Sequence, residues 1–157
     1  MITHARSLFV SLCALALLAT SAIHAAPSAV ENRIVAAVDQ RTAAAFELLA
    51  ETVNVPSATE NLAGVRAVGE IYAREFRALG FDTRWVELPA EMKRAGHFVA
   101  THQGRRGSPR LLLIGHLDTV LSGEPYRRNG NLAHGTGIAD MKGGDVIIVA
   151  ALRALHT

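Results

Sequence analysis

Apolar residues recur at the spacing of a helix in two stretches of the first half of the chain, residues 31–53 and residues 62–79. This pattern predicts two long helices. Pro56 stops the first helix, and Gly80 stops the second. The segments 81–88 and 97–102 are strand-like and are followed by proline- or glycine-containing turns, so we expect two short strands there.

Residues 111–114, Leu-Leu-Leu-Ile, are continuously apolar, which predicts a central strand covered on both faces. The Asn129-Gly130 pair then predicts a tight hairpin, and apolar residues after Lys142 predict a last helix. This mixture of elements places the chain in the α/β class. The chain offers few strands and helices to cover residues 111–114, so we expect a large exposed apolar patch wherever that cover is missing.

The first 25 residues have a different pattern, which is typical of a secretory signal peptide. A positively charged start is followed by an uncharged apolar stretch over residues 7–19, and small residues precede Pro27. We therefore expect residues 1–25 to be removed on export, leaving residues 26–157 as a periplasmic or secreted protein with no stable membrane span. The alternative is an uncleaved amino-terminal anchor.

Composition and charge exclude several classes of protein. Half of the 157 residues are hydrophobic, which excludes a disordered chain. The 16 basic and 14 acidic residues are close to balance, and the basic pairs lie in turn-rich surroundings, so they are interpreted as solvated loop charges and not as a nucleic-acid surface. The one cysteine, Cys13, lies within the predicted signal peptide and cannot form a disulfide framework.

A first candidate for chemistry is His116-x-Asp118, directly after the apolar run, at the strand end where open α/β sheets place their sites. Imidazole is a common zinc ligand, and its second N–H is usually held by a carboxylate. On an extended segment the side chains of residues 116 and 118 point to the same side, so Asp118 can orient His116 or a metal-bound water. Taken by itself, the cluster also fits a strand-end histidine with a local hydrogen bond.

The second candidate is Gly135-x-Gly137-x-x-Asp140, directly before the last predicted helix. Glycines permit the tight turn that places a carboxylate in a cleft. A nucleotide-binding loop is excluded because Asp140 replaces the third glycine and would repel a pyrophosphate. Lys142 is followed by glycine, so no phosphate-binding G-K-[ST] sequence is present either.

Together the two clusters resemble the signatures of the zinc-dependent exopeptidase and deacylase family that includes glutamate carboxypeptidase, acetylornithine deacetylase, succinyl-diaminopimelate desuccinylase and aminoacylase. The resemblance implies a site with two zinc ions, in which His116 is a ligand of one ion, Asp140 bridges both, and Asp118 is the catalytic aspartate that holds a zinc-ligating histidine. It also implies a cis peptide bond after Asp140. The implied fold is an incomplete three-layer sandwich around a mixed, mainly parallel sheet.

The resemblance also implies what this chain lacks. In the family a Glu-Glu pair with the general base, further ligands and a dimerisation domain follow later in the sequence, whereas this chain ends at Thr157. We therefore expect the amino-terminal part of a hydrolase that cleaves a peptide or acyl-amino acid next to a free carboxylate, truncated before its base, with dimers formed only through the missing domain. The alternative is a non-catalytic remnant with weak or no metal binding and an interaction role. The remaining histidines (His97, His102, His134 and His156) are interpreted as surface or packing residues.

Overall fold

A computed structural model of the protein describes residues 26–121 and 123–156. The predicted signal peptide, residues 1–25, lies outside the described residues. The chain divides into two units, Met1–Glu31 and Asn32–Thr157. In the first unit a capping box starts a helix: the Ser28 hydroxyl accepts a hydrogen bond from the main-chain N–H of Glu31 (3.2 Å), and the Glu31 carboxylate accepts one from the N–H of Ser28 (2.6 Å).

The helices and most of the strands form where the sequence pattern predicts them, within about two residues. In the described part of the chain, none of the helices is both long and apolar enough to cross a bilayer. The elements are α1 (Ala29–Val53), α2 (Leu62–Ala78), β1 (Asp82–Val86), β2 (His97–Thr101), β3 (Arg127–Asn129), β4 (Leu132–His134) and α3 (Gly143–Leu155).

The core of the second unit lies between the three helices. Its buried side chains come from one face of each helix, as the 3.6-residue spacing predicts. An ion pair beside this core joins α2 to α3, where the buried Glu75 contacts Arg153 as well as its neighbour Arg74. The core cluster consists of Leu48, Leu49, Val53, Val68, Tyr72, Val146 and Val149.

Both sheets among the described residues are two-stranded and antiparallel. β1 pairs with β2 so that Trp85 lies opposite Phe98, and the Trp85 indole N–H donates to the carbonyl of Ala95 (2.7 Å). The predicted hairpin is confirmed as β3 and β4, with Gly130 at φ +58° in the two-residue turn. Glycine is favoured there because a side chain makes positive φ costly.

The prediction of a buried central strand at residues 111–114 is wrong for this structure. The segment forms no strand, and Leu111 and Leu112 are 83% and 79% exposed. A central strand needs hydrogen-bonded neighbours on both edges, and no described strand pairs with this segment. The expected exposed apolar patch is therefore present. The mixture of helices and strands is confirmed, but the mainly parallel sheet of a three-layer sandwich is not, because the parallel pairing described is limited to one bridge between Ala58 and Thr119.

Candidate metal centre

The segment that carries His116 and Asp118 is held against the turn after α1. The N–H of Thr119 donates to the carbonyl of Ser57, and the N–H of Thr59 donates to the carbonyl of Thr119, both at 3.0 Å. The buried Ser57 hydroxyl also donates to the carbonyl of Leu117 (3.0 Å). These bonds fix the backbone on both sides of Asp118 even though the preceding apolar run is unpaired.

His116 meets Asp140 across 24 positions of sequence. The Nε2 atom of His116 lies 2.8 Å from Oδ1 of Asp140. On the other side of the ring, Nδ1 donates to the main-chain carbonyl of Asp118 at 2.9 Å, because a carbonyl oxygen can only accept. In the neutral ring Nε2 therefore carries the lone pair, and this lone pair faces a carboxylate. Such a pair of acceptors is stable only when a proton or a cation lies between them.

The protonation of His116 reflects the same geometry. Partial burial acts to lower its pKa, but the hydrogen bonds to the Asp140 carboxylate and the Asp118 carbonyl outweigh it, and the pKa lies above its usual value of 6.5. The contact thus favours a positive charge on or beside Nε2. A metal ion bound there would take the place of the proton.

The carboxylate of Asp118 has a partner that the sequence did not indicate. The Thr59 hydroxyl donates to Oδ2 of Asp118 at 2.6 Å. The other oxygen, Oδ1, lies 3.6 Å from Nδ1 of His116, so the carboxylate is on the same side as the ring, as expected for alternate positions of an extended segment. No spacing rule points to Thr59, because it lies 59 positions before its partner. The catalytic role of Asp118 stays a prediction.

Asp140 projects from a wide turn that joins β4 to α3. Gly137 begins this turn at φ +80°, where a side chain would be strained, and its carbonyl accepts from the N–H of Lys142 (2.9 Å). The peptide bond between Asp140 and Met141 is cis, as the family resemblance implies. The Asp140 side chain is 81% exposed, so its carboxylate is open to solvent and to a ligand.

An open groove of about 450 Å³ runs beside Asp140. Its walls come from the segment after Asp118, from the β3–β4 hairpin and from the glycine turn, and they include Thr119, Val120, Arg127, His134 and Gly137. His134, interpreted from sequence as a surface residue, thus lines the groove. His102 is exposed and packs on other rings, in agreement with the surface or packing role predicted for it: its ring centroid lies 5.0 Å from that of Phe81, with the planes tilted by 49°, and it meets His156 edge-on at 5.8 Å.

Asp145 is a buried carboxylate that the sequence reasoning missed. It lies in the first turn of α3, and its Oδ2 atom has no hydrogen-bond partner among the described residues. Burial raises its pKa to about 7, against the opposing effect of the nearby His116 charge. A Cβ atom built on Gly115 would overlap Oδ1 of Asp145, so the two residues are in close contact. The available signal was one acidic residue at the start of a mostly apolar helix.

The donor atoms present fit part of a zinc site. His116 offers a lone pair, and Asp140 offers an exposed carboxylate, and both are ligand types that zinc accepts. A catalytic zinc usually takes three protein ligands. Nowhere in residues 26–121 or 123–156 do three or more His, Cys, Asp or Glu side chains come together around a possible metal position.

No family model matches the chain. Curated proteins do match it. Carboxypeptidase G2 of a Pseudomonas species is 34% identical over 131 residues, which cover 80% of this chain and 31% of the relative. A putative succinyl-diaminopimelate desuccinylase of Mycobacterium tuberculosis is 36% identical over 106 residues, which cover 66% of this chain and 27% of the relative. The succinyl-diaminopimelate desuccinylase of Xylella fastidiosa is 32% identical over 121 residues, which cover 70% of this chain and 29% of the relative.

These matches confirm the resemblance inferred from the two clusters, since both kinds of relative belong to the family that the clusters indicate. The chain spans about a third of the length of the curated relatives it matches.

Proposed function

The chain is a relative of the zinc-dependent exopeptidases and deacylases, and from this premise we propose that it is the zinc-binding amino-terminal part of a carboxypeptidase- or desuccinylase-like hydrolase. The observation that carries the proposal is the pair formed by His116 and Asp140, in which an imidazole lone pair faces a carboxylate at 2.8 Å. In this proposal His116 would be a ligand of one zinc ion, and the Asp140 carboxylate would hold both ions.

Each residue of the site has a distinct task. Asp118 holds the His116 ring through its carbonyl at 2.9 Å, which fixes the tautomer and aims Nε2 at Asp140. Thr59 in turn fixes the Asp118 carboxylate. Zinc held by these residues would act as a Lewis acid toward the scissile carbonyl and would lower the pKa of its bound water. The groove beside Asp140 receives the substrate.

The names of the relatives support a substrate class. A carboxypeptidase releases a carboxyl-terminal residue, and a succinyl-diaminopimelate desuccinylase removes a succinyl group from an amino acid. Both cleave an amide bond close to a free carboxylate. We extend this class, peptides and acyl-amino acids with a free carboxylate near the scissile bond, to the protein of which residues 26–157 form a part.

The chain matches about a third of the length of its relatives, and we assign the steps that His116, Asp118 and Asp140 do not perform to segments equivalent to the other two thirds. The general base and the additional ligands would come from segments equivalent to the rest of the relatives, and any dimer would form through such a segment. The shortage of donors around His116 and Asp140 among the described residues supports this division. The predicted signal peptide supports the proposal that the protein is exported to the periplasm or secreted.

A zinc titration of the purified chain tests the proposal. Zn²⁺ is added in competition with a chromophoric chelator, and the Kd is compared with those of His116→Gln and Asp140→Asn. We expect each substitution to weaken zinc binding by at least tenfold, because loss of even an outer-shell partner of a metal ligand typically costs about 10–100-fold in affinity. His102→Gln is the matched control, because it removes an exposed imidazole that packs on Phe81 away from the site.

Three outcomes would change the conclusion. If the wild-type chain and His116→Gln have the same Kd, the zinc site is wrong. If neither binds zinc, the non-catalytic remnant is the better description. If the chain by itself binds two zinc ions tightly and hydrolyses an acyl-amino acid, the site is complete and the proposed division of the enzyme is wrong.

A further inference from the structure

We propose that Lys142 is a positioning residue of the metal centre, whose buried ammonium group fixes the turn carrying Asp140 to the same backbone that holds Asp118. The inference concerns the two carboxylates of the site. It rests on the proposed function only for the identity of the metal, because the position of Asp140 relative to His116 can be measured without any metal.

The ammonium group of Lys142 lies at the carboxyl end of α1. Lys142 is 1% exposed, and its Nζ donates to the carbonyl of Thr52 at 2.8 Å and to that of Val55 at 2.9 Å. The last carbonyls of a helix lack partners within the helix, and a cation at this end is favoured by the helix dipole. Lys142 therefore adds a second donor to the carbonyl of Thr52, which also accepts from the N–H of Val55 (3.3 Å), and supplies a donor to the carbonyl of Val55 just after the helix.

The main chain of Lys142 is fixed as well. Its N–H donates to the carbonyl of Gly137, which closes the wide turn, and its carbonyl accepts from the buried hydroxyl of Tyr72 on α2 at 3.2 Å. A Cβ atom at Gly137 would lie 3.5 Å from the aliphatic stem of Lys142, so the stem packs directly against the start of the turn. Both the backbone and the side chain of Lys142 thus restrict where Asp140 can lie.

The backbone just after Val55 is hydrogen-bonded to the segment that carries Asp118. The chain turns after α1. The Ser57 hydroxyl then donates to the carbonyl of Leu117, and two residues later the Thr59 hydroxyl donates to the Asp118 carboxylate. One ammonium group therefore joins the turn of Asp140 to the segment that fixes Asp118. Loss of this link would let the two carboxylates move independently of each other.

An apolar side chain could fill the same volume without making this link. Among the described residues, no carboxylate forms an ion pair with Lys142, so its charge is satisfied by main-chain carbonyls. Methionine has a similar length but no donors. It would leave the carbonyl of Val55 without this donor, and the carbonyl of Thr52 would keep only the hydrogen bond from the N–H of Val55 (3.3 Å). The direction in which the turn is held would then be set by packing alone.

The test compares Lys142→Met with Val149→Ala, a core substitution on α3 that removes packing but no hydrogen bond. Val149 is 1% exposed and belongs to the central cluster. The first readout is the ¹⁵N chemical shift of His116 Nε2 in metal-free protein at one fixed pH, which reports the contact with Asp140. The second is the Kd for Zn²⁺ alone.

We expect Lys142→Met to move the His116 Nε2 shift toward that of Asp140→Asn and to raise the zinc Kd at least tenfold. Val149→Ala should lose comparable stability in urea and leave both readouts unchanged. Equal His116 shifts in the two variants would overturn the inference. If the wild-type chain binds no zinc but Lys142→Met still moves the His116 shift, the proposed function is contradicted and the positioning role of Lys142 is supported.

A chemical rescue covers the case in which Lys142→Met does not fold. Lys142→Cys is made in a Cys13→Ser background, so that it carries the sole thiol. The unfolded protein is alkylated with 2-bromoethylamine, which restores an ammonium at lysine length, or with 1-bromopropane, which adds a neutral group of the same length without a donor. Only the aminoethyl derivative should recover the wild-type His116 shift after refolding. Recovery with both reagents, or with neither, would overturn the inference.

Discussion

Replacement of Asp145 by asparagine should remove a specific dependence of stability on pH. Asp145 is buried in the first turn of α3, where Oδ2 has no hydrogen-bond partner among the described residues. Burial raises its pKa from 3.8 to about 7. Asparagine has nearly the same shape and does not titrate, so the comparison isolates this one proton.

The sign of the pH dependence of stability follows from whether the native or the unfolded protein holds the Asp145 proton more tightly. The native protein keeps the proton of Asp145 up to about pH 7, whereas the unfolded chain releases it near pH 4. Between these values unfolding releases a proton, so the free energy of unfolding falls as pH rises. At 1.36 kcal/mol per pH unit, the full difference amounts to at most about 4 kcal/mol by pH 8.

Urea unfolding at a series of pH values from 4 to 8 measures this difference. Relative to Asp145→Asn, the wild type should lose up to about 4 kcal/mol of unfolding free energy across the range, with most of the loss below pH 7. Asp39→Asn, on the exposed face of α1, is a control that makes the same substitution at an exposed position. Parallel pH profiles for wild type and Asp145→Asn would refute the buried, unpaired state of this carboxylate.

Three further predictions test other parts of the structure. Gly115→Ala should destabilise the fold by about 1–3 kcal/mol, because the added methyl overlaps Asp145, whereas Gly104→Ala, in an open loop, should change stability by less than about 0.5 kcal/mol. Leu112→Gln should also cost less than about 0.5 kcal/mol, because its side chain is exposed. Export of the complete chain from a bacterial host should give a mature amino terminus at residue 26 or 27, as read by mass spectrometry.

Each of these outcomes has a clear opposite. Equal stabilities for the two glycine variants would mean that the start of α3 does not pack against Gly115. A loss of about 2–5 kcal/mol for Leu112→Gln would mean that residues 111–114 form a buried strand after all. Retention of the first 25 residues on the exported protein would favour the uncleaved anchor over the signal peptide.

Local elements of the fold were predictable because their causes are local. The spacing of apolar residues in α2, the stop at Gly80 and the turn at Gly130 act over a few positions, and the structure has the corresponding elements. Residues 111–114 show the limit of this reasoning. Their apolar run is compatible with a buried strand, but strand formation depends on pairing partners, which hydrophobic pattern alone does not specify.

The candidate site likewise contains residues that the sequence predicts and residues that it does not. The two polar clusters were visible as short sequence patterns, and the structure brings His116 and Asp140 together. Thr59 and the contacts of Lys142 depend on tertiary packing between segments 59 to 90 positions apart, for which the sequence carries no periodic signal. Asp145 was visible only as an acidic residue in an apolar helix, which by itself fits a solvated helix start.

Crystals of the chain grown with Zn²⁺, with diffraction data collected on both sides of the zinc absorption edge, test the central claim most directly. We predict an anomalous peak within coordination distance of both His116 Nε2 and the Asp140 carboxylate, with Asp118 still holding Nδ1 through its carbonyl. Zinc found only elsewhere, such as between the neighbouring rings of His102 and His156, with His116 still in direct hydrogen bond to Asp140, would contradict it.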